Sequence, residues 1–374
     1  MATRSIELLR AAHAHPGITR AAAARLLGLS TGAATEIVAR LSSAELLSET
    51  PAAPSGVRGR PTTVLGPHPQ GPLVLATAIT HETWRVDVVE LGGSVVATRE
   101  GQHHADWPTV AEVLTGTIAA LRDRYADRPR ALGLAVPGTV TPAHRLDAAT
   151  LLWRDIDLRE LWPDASVFVA GNDATLAASA ESHRGAATGA SVALHLRIEA
   201  GLGGAIVDHG TTLLGATGAA GEFGHMPFGD PAVACPCGAR GCWGTAVDGT
   251  ALARLLGGPA PPDHVAYARR LINATAGSSA ESPERTAVRS VATALGRGIA
   301  GLVNGVDADL VTLGGLGIDL LAAVPEELDT AFRAGLMGYR RDRPPLILPA
   351  ALGDDGPIAG AAEEAWSALF ASLP

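Results

Sequence analysis

All three cysteines of this 374-residue chain, Cys235, Cys237 and Cys242, lie in one short stretch, HMPFGDPAVACPCGARGCW, which opens on His225. Cys-x-Cys, a third cysteine five residues on and a histidine ten residues upstream supply four soft or borderline donors. Tetrahedral Zn(II) takes that set in a closed structural site. Gly238 and Gly241 let the chain turn between the thiols, and Pro236 stiffens the knuckle. A catalytic zinc keeps one coordination position open. Four protein ligands leave none, so the ion is expected to shape a loop and not to react. The competing reading is three incidental free thiols, and their crowding beside a spaced histidine argues against it.

The elements that hold this cluster alternate strand and helix from residue 72 onward. LVLATAITHETWRVDVVELGGSVVATRE reads as apolar strands turning at Gly92-Gly93, TVAEVLTGTIAALRDRYAD as a helix, and ALGLAVPGTVTP as a buried strand. A strand runs into a helix at Asn172-Asp173, more strands surround the Gly-rich turn Gly201-Leu202-Gly203-Gly204, and a long helix precedes a strand ending at Gly314-Gly315. GPIAGAAEEAWSALFASL is a closing helix. The pattern is that of an α/β chain.

The first 66 residues differ. SIELLRAAHAH is an amphipathic helix, Pro16-Gly17 breaks it, and a second helix runs from about Arg20 to Leu27. Gly28 makes a turn, and Ser30 is a good N-cap for a third helix, TGAATEIVARLSSAELL. This is a helix-turn-helix layout. The cap Ser30 and the early residues Thr31, Gly32, Ala34 and Thr35 are expected in the major groove, with Ala33, Ile37, Val38 and Leu41 facing inward. Leu46–Glu49 and Thr62–Leu65 are expected strands of a wing, whose RGRP tip offers Arg58 and Arg60 to a narrow minor groove or to phosphates. The bland reading is an ordinary three-helix subdomain with solvated arginines. Charge favours the DNA reading: residues 1–66 hold seven arginines against four glutamates inside a chain of net charge -9.

An acidic, 47% hydrophobic chain is globular and is not coated in nucleic acid as a whole. Three cysteines do not make a secreted disulfide framework. The amphipathic start lacks the apolar core of a signal peptide, and no run reaches the ~18 residues of a membrane span. A soluble, cytoplasmic protein without membrane partners is expected.

Taken together, these residues resemble the ROK family (repressors, open reading frames and kinases). Glu222-Phe223-Gly224-His225 is similar to the family's ExGH motif, and CPCGARGC to its CxCGxxGC zinc loop. VPGTV, LLWRDIDL, GNDATLAASAE and LVTLGG follow in the family's order. The winged head resembles that of ROK regulators and sets the chain apart from stand-alone sugar kinases. The resemblance implies a two-lobed, actin-like (ribonuclease H-like) α/β body with a sugar cleft. On this reading residues 1–66 are the winged helix-turn-helix and 67–71 a linker. The first ROK lobe is 72–180, completed by 357–374, and the second, with the zinc loop, is 181–356.

The resemblance also implies site residues. Asn172, Asp173, Glu222 and His225 match sugar-contact positions, and Asp173 matches the kinase's catalytic base. Kinases of the family carry Asp-x-Gly-Gly-Thr at the first hairpin, where this chain reads Ala78 to Glu82, AITHE. The aspartate is lost, and a glutamate faces the place of the phosphates. A carboxylate there repels a triphosphate, so Asp173 is read as a vestigial base and the chain as no enzyme. A glutamate usual two residues after the third cysteine is Gly244 here, and Thr150 stands where an asparagine often does. The effector is therefore a sugar or another small polar molecule, not specifically glucose. The resulting expectation is a transcriptional regulator, a repressor, bound to a palindromic operator in duplex DNA as a homodimer or homotetramer with structural zinc. The alternatives are an active sugar kinase with an appended DNA-binding domain, and a regulator with no ligand.

Overall fold

The computed structural model describes residues 3–52, 63–104, 106–276 and 281–373. It divides into two compact units, Met1–Asp173 with Ile358–Pro374, and Ala174–Pro357.

The first unit begins with helices α1 (Thr3–Ala14), α2 (Arg20–Leu26) and α3 (Thr31–Ser43) and the antiparallel strands β1 (Ser48–Pro51) and β2 (Thr63–Gly66). The Thr19 hydroxyl caps α2 by accepting from Ala22 N–H (3.1 Å), and Ser30 caps α3 by accepting from Ala33 N–H (3.2 Å). Leu8, Leu9, Ile37, Val38 and Leu41 close a small core. Ser5 and His13 are buried with them, although α1 reads as a simple amphipathic helix. Val64 bridges to Thr19, which ties the wing to the entry of α2. The two wing strands start and end one or two residues later than their alternation suggests.

The same unit continues with β3 (Leu73–Ile79), β4 (Thr83–Val89), β5 (Val95–Gln102), α4 (Trp107–Arg124) and β6 (Pro129–Val136). Then come β7 (Thr139–Val140), β8 (Arg145–Ala148), β9 (Trp153–Asp157) and β10 (Val167–Asn172). The main sheet is ordered β10-β6-β3-β4-β5, and β7-β8-β9 form a small separate sheet. β3, LVLATAI, is buried nearly throughout, as a strand covered on both faces must be. Asp106 accepts from Thr109 N–H (3.2 Å) to start α4, whose stripe Val110, Leu114, Ile118 and Leu121 packs with Leu75, Val86 and Leu132.

The second unit holds α5 (Asp173–Arg184), β11 (Val192–Ile198), β12 (Leu202–Asp208), β13 (Thr211–Thr212), α6 (Gly249–Leu255), α7 (His264–Thr275) and α8 (Pro283–Val306). β14 (Leu310–Gly315), α9 (Leu316–Ala323), α10 (Pro325–Gly335), α11 (Gly338–Arg341) and β15 (Leu346–Pro349) complete it. Its sheet is ordered β13-β12-β11-β14-β15. Numbered in chain order, the five main strands of each unit run 3-2-1-4-5, with strands 1 to 3 antiparallel and 4 and 5 parallel to 1. The two lobes of the α/β body thus repeat one topology. Ser282 caps the 24-residue α8, which buries Val288, Val291, Leu295, Ile299 and Leu302. His195 on β11 is buried beside Thr312, its Nδ1 2.9 Å from the Thr312 hydroxyl. Burial, and then the Arg197 charge, push its pKa down from 6.5 to about 3.

α12 (Gly356–Ser372) returns the chain to the first unit. Ala361 lies so near Gly133 of β6 that a Cβ on Gly133 would stand 2.0 Å from the Ala361 carbonyl oxygen. The chain passes between units only at Asp173/Ala174 and Pro357/Ile358, each time inside the first turn of a helix. No helix among the described residues is long and apolar enough to cross a membrane.

Candidate functional site

The donor atoms of His225, Cys235, Cys237 and Cys242 all lie within 4.8 Å of one another. His225 closes a single 3₁₀ turn, Phe223–His225, and the thiols follow on a tight loop in which Gly238 (φ +94°) and Gly241 (φ +71°) take left-handed backbone. Cys237 Sγ is 3.7 Å from Cys242 Sγ, and Cys235 Sγ is 3.7 Å from His225 Nδ1. With metal–sulfur bonds of about 2.3 Å, the edge of a tetrahedron is about 3.8 Å. The cluster is thus compatible in geometry with a four-coordinate metal ion. Burial, with the neighbouring thiols acting the same way, pushes the Cys242 thiol up to about 12. The Ala239 backbone holds Cys237 below its ordinary value. A cation at the centre would favour the thiolate form of all three.

The next residue, Trp243, is fully buried and anchors the loop. Its indole N–H donates to the Ala294 carbonyl of α8 (3.1 Å), and Phe228 packs edge-on at 5.8 Å between centroids. A lone tryptophan has no spacing signature, so the sequence does not mark this anchor. His225 presents its other nitrogen, Nε2, 3.7 Å from Glu222 Oε2. Glu222 and His225 are thus brought together, with Nδ1 turned to the thiols and Nε2 left for polar partners.

Asn172 ends β10 and Asp173 opens α5, and the Asn172 amide donates to the Gly138 carbonyl (3.0 Å). These two adjoin one another in chain order, while Glu222 and His225 belong to the second unit. Thr150, in the small-sheet region of the first lobe, has its hydroxyl 2.8 Å from His81 Nε2. Thr150 is therefore joined to the AITHE turn.

That turn is closed on itself. The Thr80 hydroxyl accepts from Glu82 N–H (3.3 Å) and Thr83 N–H (3.0 Å), and Thr80 N–H donates to the Thr83 carbonyl (2.8 Å). His103 donates to the Thr80 carbonyl at 3.0 Å. Amides already engaged in this way are not free to cradle an anion. The topologically matching turn of the second lobe, β11 to β12, carries Glu199, which pairs with Arg197 (2.9 Å). The spacing of Gly201, Gly203 and Gly204 alone does not mark this acid at the entry of the Gly-rich turn.

The winged head supplies the candidate nucleic-acid surface. Ser30, Thr31, Gly32 and Thr35 are exposed at the start of α3. Ala34 corrects the expectation: it is 1% exposed and belongs to the inward stripe Ala34, Ile37, Val38 and Leu41, while Ala33 is half-buried. Ile37, Val38 and Leu41 face inward as expected, and Ala34, three residues before Ile37 and seven before Leu41, completes their stripe in place of Ala33. The Thr35 hydroxyl donates to the Thr31 carbonyl (2.8 Å). Arg58 and Arg60 lie outside the described residues. Arg25, near the end of α2, is exposed and was not singled out from the sequence.

Comparison with known proteins places these features together. The profile of the ROK family matches residues 81–366. The kanosamine kinase of Amycolatopsis mediterranei is 30% identical over 312 residues, 76% of this chain and 97% of that protein. The xylose repressor of Bacillus subtilis is 27% identical over 164 residues, 42% of each chain. Among solved structures, a ROK family transcriptional regulator described as a homologue of the E. coli MLC protein superposes with a TM-score of 0.76 at 22% identity. It covers 98% of this chain and 96% of its own. The ROK hexokinase of Thermus thermophilus gives 0.66 at 28% identity, covering 80% of this chain and all of its own. The chain belongs to the ROK family.

Proposed function

We propose that the protein is a DNA-binding transcriptional regulator, a repressor, whose body senses a sugar or another small polar effector without phosphorylating it. The observation that carries this is the self-closed Thr80–Thr83 turn in a chain that also has a capped helix-turn-helix and wing. Engagement of the Thr80, Glu82 and Thr83 amides and the acid Glu82 weigh against a bound triphosphate, because phosphoryl transfer rests on positioning and charge neutralisation. Likeness to a regulator over nearly the full length, the head included, supports the same reading.

Thr31, Gly32 and Thr35 would approach base edges, with Arg25 as a phosphate contact and Arg58 and Arg60 on the wing. Asn172 and Asp173 in the first unit, and Glu222 and His225 in the second, each offer groups suited to effector hydroxyls, since amides and carboxylates can each serve two neighbouring hydroxyls. Zinc is the ion the three thiols and one imidazole fit, held by Nδ1 of His225 and the three Sγ atoms. It would act as a crosslink, with Glu222 steadying the imidazole from its far side. Twofold-related heads in a dimer or tetramer would read a palindromic operator. Effector would act by preferring one lobe arrangement.

Selection of genomic fragments by the full chain, with a coupled ADP-release assay over a panel of hexoses, tests the proposal. Recovery of palindromic sites with no hexose-dependent turnover is the expected result. ATP consumed with any monosaccharide, and no fragment enriched, would replace it with the second reading, a sugar kinase. Retention of an acid at the base position, Asp173, and the likeness to kanosamine kinase favour that second reading.

A further inference from the structure

His13 sits in the last turn of α1, in the head, yet both of its ring nitrogens are engaged by the first lobe. Nδ1 accepts from the Gly92 N–H at 3.0 Å, and Nε2 lies 3.1 Å from Glu363 Oε2 on α12. Acceptance at Nδ1 settles the tautomer: the proton is on Nε2, and it is donated to the carboxylate. His13 and Glu363 are 5% and 7% exposed, so this is an interior polar contact between segments 350 residues apart in the chain. The ring also meets Trp366 at 5.4 Å and Phe370, edge-on, at 5.5 Å. Glu363, Trp366 and Phe370 stand at i, i+3 and i+7 of α12 and so form one face of that helix. On the other side Gly92, φ +95°, turns the β4–β5 hairpin toward Pro16, just after α1.

A buried polar pair holds its geometry only while every partner is satisfied, and an apolar side chain would fill this space with less desolvation. The two bonds at opposite ends of the ring fix its plane, and the two aromatics fix its position. α12 is also one of the two helices through which the chain passes between units, and Glu363 lies five residues beyond the crossing at Pro357/Ile358. About one and a half helical turns separate them. A displacement at the start of α12 therefore reaches the imidazole through a short rigid segment, and through it the helix that carries α2 and α3.

We propose that His13 is a positioning residue: clamped between the β4–β5 turn and Glu363 of α12, it sets the orientation of the DNA-reading head on the first lobe and passes movement of α12 to it. This rests on the regulator reading for what the head grips, but not for the clamp itself.

The test uses the full chain and the variants His13→Phe, which keeps the aromatic packing and removes both bonds, Glu363→Ala and Glu363→Gln. Two measurements are made on each: hydrogen exchange at the Gly92 turn and α1, and affinity for duplexes selected by the wild-type chain, carrying either two half-sites or one. Loss of a buried hydrogen bond should speed Gly92 exchange roughly tenfold in His13→Phe. Affinity for the two-half-site duplex should fall by a similar factor, while that for the single half-site stays as it was. Glu363→Gln keeps an acceptor and should behave as wild type, whereas Glu363→Ala should follow His13→Phe. Unchanged exchange overturns the clamp. Faster exchange with no change in either duplex, or equal weakening of both, overturns the positioning role. So does Glu363→Gln matching Glu363→Ala. If the wild-type chain selects no duplex, the regulator reading fails, and the exchange measurements alone decide whether the clamp exists.

Discussion

The two five-stranded sheets share one strand order, and their first hairpin turns occupy the same topological place. Each turn carries a glutamate, Glu82 in one and Glu199 in the other, but the two are settled differently. The first turn spends its amides on the Thr80 hydroxyl, whereas the second neutralises its acid with Arg197. The same topological position is thus closed by hydroxyl–amide bonds in one lobe and by an ion pair in the other. The lobes also differ in what stabilises them. The first is assembled from both ends of the chain and closed by aromatic and polar contacts to α12. The second is continuous and has a four-donor metal-type cluster pinned to α8 by Trp243.

That contrast breaks most readily at the four-donor cluster. Cys242→Ser, or chelation, should cost on the order of 5 kcal/mol, with loss of exchange protection confined to the 222–247 loop and α8. Equal loss of protection in both lobes would show that they do not differ as described. A smaller effect is expected from Gly133→Ala in the first lobe, where the new Cβ meets the Ala361 carbonyl at 2.0 Å. Thermal unfolding should report about 3 kcal/mol, the range of a forced overpacking, with the metal affinity untouched.

Acid sharpens the comparison further. His195 stays neutral in the folded second lobe down to about pH 3, while the unfolded chain takes up its proton near 6.5. Between those values the unfolded state binds more protons. Stability is therefore complete above 6.5 and falls by about 1.4 kcal/mol per pH unit as the pH drops toward 3. Denaturant midpoints measured between pH 7 and 5 should show that slope, and His195→Asn should flatten it. In the first lobe His144 is also held below its ordinary value, by burial and then by Arg159, so His144→Asn tells which lobe carries the slope. Least of all, Ser30→Ala should cost about 1 kcal/mol through the α3 cap, read as a lower midpoint for the head with both sheets unchanged.

Legibility in the sequence followed locality. The His/Cys cluster, the cap at Ser30 and the α/β alternation depend on residues within one turn or loop, and they could be read directly. Ala34 was misplaced because Ala33 and Ala34 are adjacent and identical, so the sequence does not say which of them completes the stripe of Ile37, Val38 and Leu41. Glu199 was hidden by the glycines that follow it. Trp243 and the His13–Glu363 pair depend on contacts with α8 and α12, 51 and 350 residues away, for which a single sequence carries no signal.

The second unit is one uninterrupted run, 174–357, set inside the first, which needs α12 before its sheet is covered and His13 is engaged. On a ribosome, the inserted unit can therefore mature while the earlier-made head is still waiting for its last supporting helix. Grip on DNA would then be withheld from nascent chains until the sensing body has been synthesised.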